Sequence, residues 1–256
     1  MSSAQRRPDR QRGVFETLLV FDGEPVELGA HLARLDASLR ALFPHREPPA
    51  GLARALAEAA AGTAVGAVRV AVAPDEEEAL RAETEELEIE PDRILPPGPA
   101  AIDARTVAVR GGLGGHKWAD RAFLDRMHGG LAGDETLLVL DWDDTLLEAS
   151  RANAFAVFGG ALLTPPVDGR ILPGIARARA LDIAARAGIE VREAALRRED
   201  LTAADELFLT GSVRGVERVR AVDGTALDPA GEVASAIHAG LRRAWLGAGL
   251  DRVPRR

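Results

Sequence analysis

Lysine is almost missing from this sequence. Of its 256 residues, 32 are Lys or Arg, and Lys117 is the single Lys among them. Either side chain supplies a surface charge, but Arg stays protonated, whereas a Lys amine can lose its proton and attack a carbonyl carbon. The retention of one Lys in an Arg-rich chain therefore indicates chemistry that needs an amine. The simpler alternative is an exposed Lys kept by chance.

Cysteine and tyrosine are absent as well. Without Cys the chain has no disulfide, no thiolate metal site and no thiol nucleophile, and we expect no metal. No apolar run approaches the ~20 residues of a membrane helix, and the polar, basic first residues do not resemble a secretory signal. The net charge of −8 argues against a nucleic-acid-binding surface. We therefore expect a soluble cytoplasmic protein that binds neither nucleic acid nor membrane.

A proline-rich stretch divides the chain. Residues 95–100 (LPPGPA) contain three prolines and a glycine, which cannot continue a helix or a central strand. We expect a disordered lead-in over residues 1–12 and a small N-terminal α/β domain over 13–98. A larger C-terminal domain over 99–256 is expected to carry Lys117.

Hydrophobic periodicity predicts strands and helices on both sides of this linker. Leu32, Leu35, Leu39 and Leu42 recur at spacings of three and four, which predicts a helix over 30–43. Several of the strands are joined by hairpins, so the predicted class is α/β or α+β, with mixed sheets and two lobes. The other expected elements are strands over 14–21, 67–73, 83–90, 106–110, 136–140, 145–148, 154–158, 161–163, 190–196, 206–210 and 216–222, and helices over 52–61, 118–128, 175–187 and 233–246.

Two local motifs suggest phosphate chemistry. The Gly-rich residues 111–117 end in Lys like a phosphate loop, but the Ser or Thr that should follow the Lys is absent. Residues 138–146 (LVLDWDDTL) are similar to the first strand end of haloacid-dehalogenase phosphatases, with Asp141 as nucleophile and Asp143 as general acid. That family needs a Lys after the motif, and Lys117 precedes it. A polar β-turn is the favoured interpretation, and the phosphatase stays a remote alternative.

Six separated pieces occur together in one order. They resemble the class IV pyridoxal-phosphate enzymes: branched-chain and D-amino-acid aminotransferases and aminodeoxychorismate lyase. The resemblance extends from about Gly13 to Gly224. Each piece is weak alone, and their shared order is the specific signal. The pieces are 15–17 (FET), 31–35 (HLARL), 117–121 (KWADR), 147–155 (LEASRANAF), 163–166 with 172–175 (LTPP and LPGI) and 206–212 (ELFLTGS).

The resemblance implies a class IV aminotransferase-like fold and the cofactor pyridoxal 5′-phosphate. Lys117 would hold its aldehyde as a Schiff base, and Glu148 would keep its ring nitrogen protonated through the opposite charge. Asn153, the sole Asn, would be a supporting hydrogen-bonder. The phosphate would be bound by a cation and by N–H groups at a helix start and a turn. These phosphate-binding residues would be Arg34, Gly174, Ile175, Ala176, Gly211 and Ser212.

The chain departs from the family pattern in three places. The strand and loop that usually precede residue 13 are mostly missing, the Tyr that follows the Lys in branched-chain enzymes is absent, and Ala176 stands where Thr is frequent. The absent Tyr and the Lys-x-x-x-Arg spacing of Lys117 and Arg121 look more like the lyase and D-amino-acid branches. The favoured function is therefore 4-amino-4-deoxychorismate lyase, which releases pyruvate and leaves 4-aminobenzoate for folate synthesis.

Two other functions stay open. One is a class IV aminotransferase that acts on D- or branched-chain amino acids. The other is a non-catalytic protein that binds pyridoxal phosphate, although the retention of both Lys117 and Glu148 favours an enzyme. The family resemblance also implies a homodimer. A carboxylate of the amino-acid-like substrate could be received by Arg69, Arg110, Arg121 or Arg214.

Overall fold

The computed structural model describes residues 8–131, 133–227 and 231–247, and these form two compact units. We name the first the lysine unit; it contains residues 8–94 together with His116–Phe123. The second, the glutamate unit, contains Leu95–Gly115 and the described residues from Leu124 onward.

The lysine unit is an antiparallel sheet of four strands in the order β2-β1-β3-β4, with two helices. Apolar residues alternate along the central strands, so that Val14, Leu18 and Val20 form one buried core with Leu35 and Leu39 of the first helix. The elements are β1 (Val14–Phe21), β2 (Glu24–Pro25), α1 (Leu28–Leu42), α2 (Leu52–Ala60), β3 (Val65–Pro74) and β4 (Leu80–Leu87).

The helix expected over residues 118–128 is shorter, and α3 includes Ala122–His128 alone. The residues before α3 pair with the start of β1 instead. The Phe15 N–H donates to the Lys117 carbonyl at 2.9 Å, and the Ala119 N–H donates to the Gly13 carbonyl at 3.0 Å. These bonds take backbone groups that a helix would use. They also explain why His116–Phe123 clusters with the lysine unit and not with the C-terminal residues, where we expected Lys117.

The start of the chain contains a short turn where it is described. Residues 1–7 of the expected lead-in lie outside the described part. Arg10–Arg12 form a 3-10 turn, and the side chain of Asp9 accepts a hydrogen bond from the Gln11 N–H at its start. The disorder expected over residues 1–12 stays a prediction.

The glutamate unit has a mixed ten-stranded sheet, as the sequence predicts. Its order is β10-β9-β8-β12-β13-β5-β6-β7-β11, with β14 beside β13. Strand pairs β5/β6, β5/β13 and β9/β10 are parallel, and the other pairs are antiparallel. The strands are β5 (Ala100–Ala108), β6 (Glu135–Leu140), β7 (Thr145–Ala149), β8 (Asn153–Phe158), β9 (Ala161–Thr164), β10 (Val191–Glu193), β11 (Leu196–Arg197), β12 (Glu206–Gly211), β13 (Gly215–Val222) and β14 (Thr225–Ala226).

The strand expected over residues 190–196 is split into β10 and β11. The two pieces pair with β9 and β7, at opposite ends of the strand order. Two residues separate them in sequence, so the three steps from Glu193 to Leu196 span at most about 11 Å, and the sheet of this unit must curl to bring its ends together. The unit is completed by helices α4 (Ile175–Arg186), α5 (Arg198–Ala203) and α6 (Glu232–Leu246).

The core of the glutamate unit consists mainly of Ala, Leu and Val. Phe155 and Phe208 lie directly opposite each other on β8 and β12 and stack with their ring centroids 5.2 Å apart. Both rings are fully buried, which fixes the two strands beside the site described below. Among the described helices of the chain, none combines the length and apolar character that a membrane crossing needs.

Candidate active site

Lys117 lies against an aromatic ring that it shares with two arginines. Its Nζ atom is 4.6 Å from the ring centroid of Phe15. The guanidinium carbons of Arg69 and Arg121 lie 5.1 and 5.9 Å from the same centroid. The sequence predicted a role for this amine, and the fold of the lysine unit surrounds it with positive charge.

The surroundings of Lys117 make its amine easier to deprotonate. Burial of the ammonium is the largest effect, and it lowers the pKa of Lys117 to about 8. The positive charges of Arg34, Arg121 and Arg69 lower the pKa further, while the carboxylate of Glu16 raises it. A primary amine with this pKa exchanges its proton near neutral pH, which suits it for nucleophilic attack and for proton transfer.

Arg34, predicted to bind phosphate, is held by a buried carboxylate. Arg34 donates from Nε to Glu16 Oε1 and from Nη2 to Glu16 Oε2, both at 2.7 Å. The Nδ1 atom of His31 lies 2.8 Å from Glu16 Oε2. Burial alone would raise the pKa of Glu16, but the hydrogen bonds from His31 and Arg34 outweigh it and lower this pKa to about 2. Glu16 is therefore ionised at every pH at which the protein is expected to work.

His31 is a neutral donor in this cluster. Burial lowers its pKa, although the Glu16 carboxylate acts in the opposite direction. An ionised carboxylate accepts hydrogen bonds only, so Nδ1 of His31 carries the hydrogen. Sequence reasoning included Glu16 and His31 in matching pieces without assigning them a role. The available signal was a carboxylate at position 16 on the apolar face of β1, between Val14 and Leu18.

Glu148 occupies β7 in the glutamate unit, where its residue is 4% exposed. Its Oε2 atom accepts hydrogen bonds from the Leu172 N–H at 3.2 Å and from Asn153 Nδ2 at 3.5 Å. Asn153 Nδ2 also donates to the Leu172 carbonyl at 2.9 Å. Asn153 therefore supports Glu148 and the chain before α4, in agreement with its predicted role.

The start of α4 requires glycine at position 174, because a side chain there would displace Asn153 or the start of the helix. A Cβ atom on Gly174 would lie 1.8 Å from Oδ1 of Asn153. Gly174 is the N-cap residue of α4, and no side chain caps this end. The first-turn N–H groups, which include those of Ile175 and Ala176, have no partner within a helix and are suited to bind an anion.

The turn after β12 adds a second group of candidate residues to the glutamate unit. Gly211 pairs with Gly215, and Ser212 lies in the turn between them. Thr210, one residue earlier, is directly opposite Asn153, so the two side chains project from the same face of the sheet. The hydroxyl of Thr210 is buried and has no hydrogen-bond partner among the described residues. Sequence reasoning missed Thr210, because only the ladder register relates it to Asn153.

The four arginines proposed for a substrate carboxylate are divided between the units. Arg69 and Arg121 lie beside Lys117, as described. In the glutamate unit Arg110 lies over the ring of Trp142, and Arg214 forms an ion pair with Glu217 at 2.8 Å. The lysine unit thus brings two of the four candidates next to the predicted reactive amine.

The aspartate motif organises a turn. Oδ1 of Asp141 accepts hydrogen bonds from the N–H groups of Gly111 and Trp142 at 3.0 and 2.7 Å. Its Oδ2 accepts one from Arg170 at 3.0 Å. Both oxygens of the would-be phosphatase nucleophile are therefore engaged in local structure, as the β-turn interpretation requires. The described part of the chain contains no group of three His, Asp or Glu that could hold a metal ion.

Comparisons with known proteins agree with this geometry. A branched-chain-amino-acid aminotransferase of Escherichia coli K12 is 41% identical over 99 residues, which are 39% of this chain and 31% of that protein. A 4-amino-4-deoxychorismate lyase of Pseudomonas aeruginosa superposes with a TM-score of 0.77 at 25% identity, over 94% of this chain and 95% of the other. The PLP-bound form of a hypothetical aminotransferase of Mycobacterium tuberculosis gives 0.79 at 25% identity, over 93% and 89%.

The curated relatives share part of their length with the chain, since the aligned stretch spans about a third of the E. coli enzyme. A model of the amino-transferase class IV family matches residues 13–222, most of the chain. This match replaces the phosphatase alternative and agrees with the mixed sheets of the fold. The chain belongs to the class IV aminotransferase family, a pyridoxal-phosphate-dependent group.

Proposed function

We propose that the protein is a 4-amino-4-deoxychorismate lyase, which releases pyruvate from its substrate and leaves 4-aminobenzoate. The observation that carries the proposal is the group of cations around Phe15: Lys117, Arg69 and Arg121 all lie within 6 Å of its ring centroid. The substrate has two carboxylates, and guanidinium groups bind carboxylates with charge-assisted hydrogen bonds. The structural similarity to the Pseudomonas aeruginosa lyase supports the same function.

The residues present fit pyridoxal phosphate. The buried hydroxyl of Thr210 lacks a partner, and the start of α4 lacks a side-chain cap. There is no room for a Cβ atom at Gly174, because the backbone at the start of α4 lies close to Asn153, the side chain that donates to Glu148. A phosphate group supplies the acceptors that such a hydroxyl and such N–H groups need. These features are expected of a protein that binds a phosphorylated ligand.

The proposal gives the candidate residues distinct tasks. When bound, pyridoxal phosphate supplies an aldehyde and a ring that withdraws electrons from the substrate. Lys117 would hold the cofactor covalently and move protons, because its amine has a pKa of about 8. Glu148 would face the ring nitrogen, with its orientation set by Leu172 and Asn153. The phosphate would be bound by Arg34 and by the backbone at Gly174, Ile175, Ala176, Gly211 and Ser212.

The substrate class is the less constrained part of the proposal. Arg69 is the stronger candidate for a carboxylate, because its buried Nε has no partner among the described residues while its Nη1 pairs with Glu85. Arg121 is four residues after Lys117, which places the second candidate on the same segment. Removal of either guanidinium should weaken binding of the dicarboxylate more than binding of the cofactor.

A class IV aminotransferase for D- or branched-chain amino acids is the second candidate function. It is favoured by the 41% identity to the E. coli branched-chain-amino-acid aminotransferase. A lyase needs no keto-acid substrate for a second half-reaction, whereas an aminotransferase does, so the two reactions can be separated by their products. A role in folate synthesis, a cytoplasmic location and a homodimeric assembly belong to the lyase proposal.

The test is to incubate the cofactor-loaded protein with 4-amino-4-deoxychorismate and, separately, with a panel of L- and D-amino acids. Pyruvate and 4-aminobenzoate in equal amounts from the first incubation would support the lyase. Transfer of the amino group from an amino acid to the cofactor, without any product from 4-amino-4-deoxychorismate, would refute it and support the aminotransferase. Arg69→Gln and Arg121→Gln should each raise KM for the lyase substrate, with Arg54→Gln, an exposed arginine on α2, as the control.

A further inference from the structure

Positive charges outnumber negative ones among the groups that act on Lys117. Among the described residues that act most strongly on its amine, three are arginines and one is a carboxylate. The carboxylate belongs to Glu16 on β1, and its neighbour Phe15 donates its backbone N–H to the Lys117 carbonyl. The charged groups that act on Lys117 belong to α1 (Arg34), to β3 (Arg69), to its own segment (Arg121) and to β1 (Glu16), and His31 on α1 also interacts with it electrostatically.

Glu16 is fixed far more firmly than a solvent-exposed carboxylate would be. Its residue is 1% exposed, and its two oxygens accept three hydrogen bonds of 2.7 to 2.8 Å from Arg34 and His31. A buried charge is screened less by water and salt than an exposed one, so its field acts on neighbouring groups at greater strength. A carboxylate that is buried at such a cost without contributing to an apolar core usually serves a specific purpose.

We propose that Glu16 is a positioning residue that holds Arg34 in place and supplies the negative charge that balances the arginines around the Lys117 amine. The proposal rests on the proposed function in one respect, since it takes Lys117 to be the reactive amine. Without Glu16, the cations Arg34, Arg69 and Arg121 would act on the ammonium unopposed. The amine would then lose its proton too readily to return one to the substrate.

His31 has a different part in the same cluster. It donates to Glu16 Oε2, and burial lowers its pKa, which favours its neutral form. Lys117 lowers the pKa of His31 as well, but His31 is not among the largest influences on the Lys117 amine. It therefore orients the carboxylate without adding a charge. This difference between His31 and Glu16 separates an electrostatic role from a purely structural one.

The test measures the protonation of Lys117 directly in the full-length protein freed of cofactor. The protein is labelled with trace acetic anhydride between pH 6 and 10, and peptide mass spectrometry compares the Lys117 peptide with the α-amine of the N-terminus. Because Lys117 is the sole Lys, no other side chain contributes to the signal. The wild-type amine should titrate with a midpoint near pH 8.

Glu16→Gln keeps the shape of the side chain and removes its charge. We expect the midpoint of Lys117 to fall by about one pH unit, which raises the free-amine fraction at pH 7 about fivefold, from about 9% to about 50%. Glu85→Gln, at an exposed carboxylate that pairs with Arg69 on the same sheet, should leave the midpoint unchanged because solvent screens that charge. His31→Gln should also leave it nearly unchanged, since the charge of Glu16 remains.

An unchanged midpoint in folded Glu16→Gln would overturn the proposal, and so would an equal fall in His31→Gln, which would indicate a structural effect. If Glu16→Gln does not fold, the paired variant Glu16→Gln/Arg34→Gln removes both partners and avoids an unpaired buried charge. Glu16 acts more strongly on Lys117 than Arg34 does, so the paired variant should still show a lowered midpoint. A raised midpoint there would contradict the proposal. None of these measurements needs bound cofactor, so they remain decisive even if the proposed function is wrong.

Discussion

At the scale of single residues, Glu148 owes its position to a backbone N–H group and to a neighbouring side chain. Leu172 and Asn153 both donate to Oε2, which leaves the orientation of the carboxylate fixed before any cofactor binds. This preorganisation is the basis of electrostatic stabilisation in enzymes, because no reorientation is needed during the reaction.

Glu148→Gln tests this charge. The amide keeps the shape and the hydrogen bonds but cannot keep a ring nitrogen protonated, so we expect bound cofactor with turnover reduced on the order of 10²-fold or more. Turnover and the absorbance of bound cofactor are measured on the same samples. Glu190→Gln, at an exposed carboxylate of the same unit, serves as the control and should retain its activity. Near-normal turnover of Glu148→Gln would remove Glu148 from the mechanism.

Thr210→Val tests the buried hydroxyl without a partner. In cofactor-free protein the change should be neutral or stabilising, because an unsatisfied buried hydroxyl costs about 1–3 kcal/mol. With cofactor present the hydroxyl would gain a partner, so the variant should bind pyridoxal phosphate more weakly. Thermal unfolding with and without pyridoxal phosphate measures both effects.

The same substitution at Thr164 is the matched control for Thr210. The Thr164 hydroxyl is buried but donates to the Ala154 carbonyl at 2.8 Å. Thr164→Val should therefore lower stability by about 1 kcal/mol with or without cofactor. Cofactor affinity that is unaltered in Thr210→Val would show that its hydroxyl makes no contact with the ligand.

At the scale of elements, the start of α4 and the strand pair β8/β12 form one piece of structure. Asn153 on β8 contacts the Leu172 carbonyl just before α4, and its Oδ1 occupies the space beside Gly174. The position of the helix start therefore depends on one side chain of the sheet. A substitution at Asn153 should therefore alter the helix start, and a substitution at Gly174 should alter the position of the Asn153 side chain.

Gly174→Ala tests this dependence. The added Cβ would meet Asn153 Oδ1 at 1.8 Å, so Asn153 or the helix start must move. We expect a loss of about 1–3 kcal/mol in the free energy of unfolding, together with weaker cofactor binding. Gly98→Ala, where a Cβ meets nothing within 4 Å, is the control for the substitution itself. Equal stability of the two variants by chemical denaturation would contradict the close approach.

The elements that could be predicted from the sequence are those with strong local periodicity. The strand over residues 14–21 has the expected bounds, and the helices expected at 30–43 and 233–246 begin within two residues of the prediction. Residues 118–121 were predicted as helix from their spacing, but the sheet offered backbone partners at Gly13 and Phe15 that the sequence does not reveal. Pairing partners distant in sequence decide such segments, and local pattern cannot.

The residues of the candidate site also fall into two groups: those that the sequence indicates and those that only the fold brings together. Lys117 and Glu148 were singled out from composition and family resemblance, and the roles of both remain predictions. The cluster of Glu16, His31 and Arg34 depends on β1 lying against α1, and the relation of Thr210 to Asn153 depends on strand register. Contacts between residues that are distant in sequence depend on the fold, so the amino-acid sequence alone could not reveal them.

At the scale of the whole molecule, the predicted homodimer can be tested on the active protein. The expectation comes from the family resemblance, in which a neighbouring subunit closes the active site. Light scattering on cofactor-loaded, active protein should give twice the chain mass of 27.1 kDa. A monomeric mass for protein that is fully active would contradict it.

We expect Lys117, the sole lysine, to be the attachment point of the cofactor. The most direct measurement is borohydride reduction of the cofactor-loaded protein, followed by digestion and peptide mass spectrometry. The mass of the reduced cofactor should be found on the peptide that contains Lys117. Lys117→Arg, which keeps the charge but has no reactive amine, should carry none. An unmodified Lys117 peptide from protein saturated with pyridoxal phosphate would contradict the account.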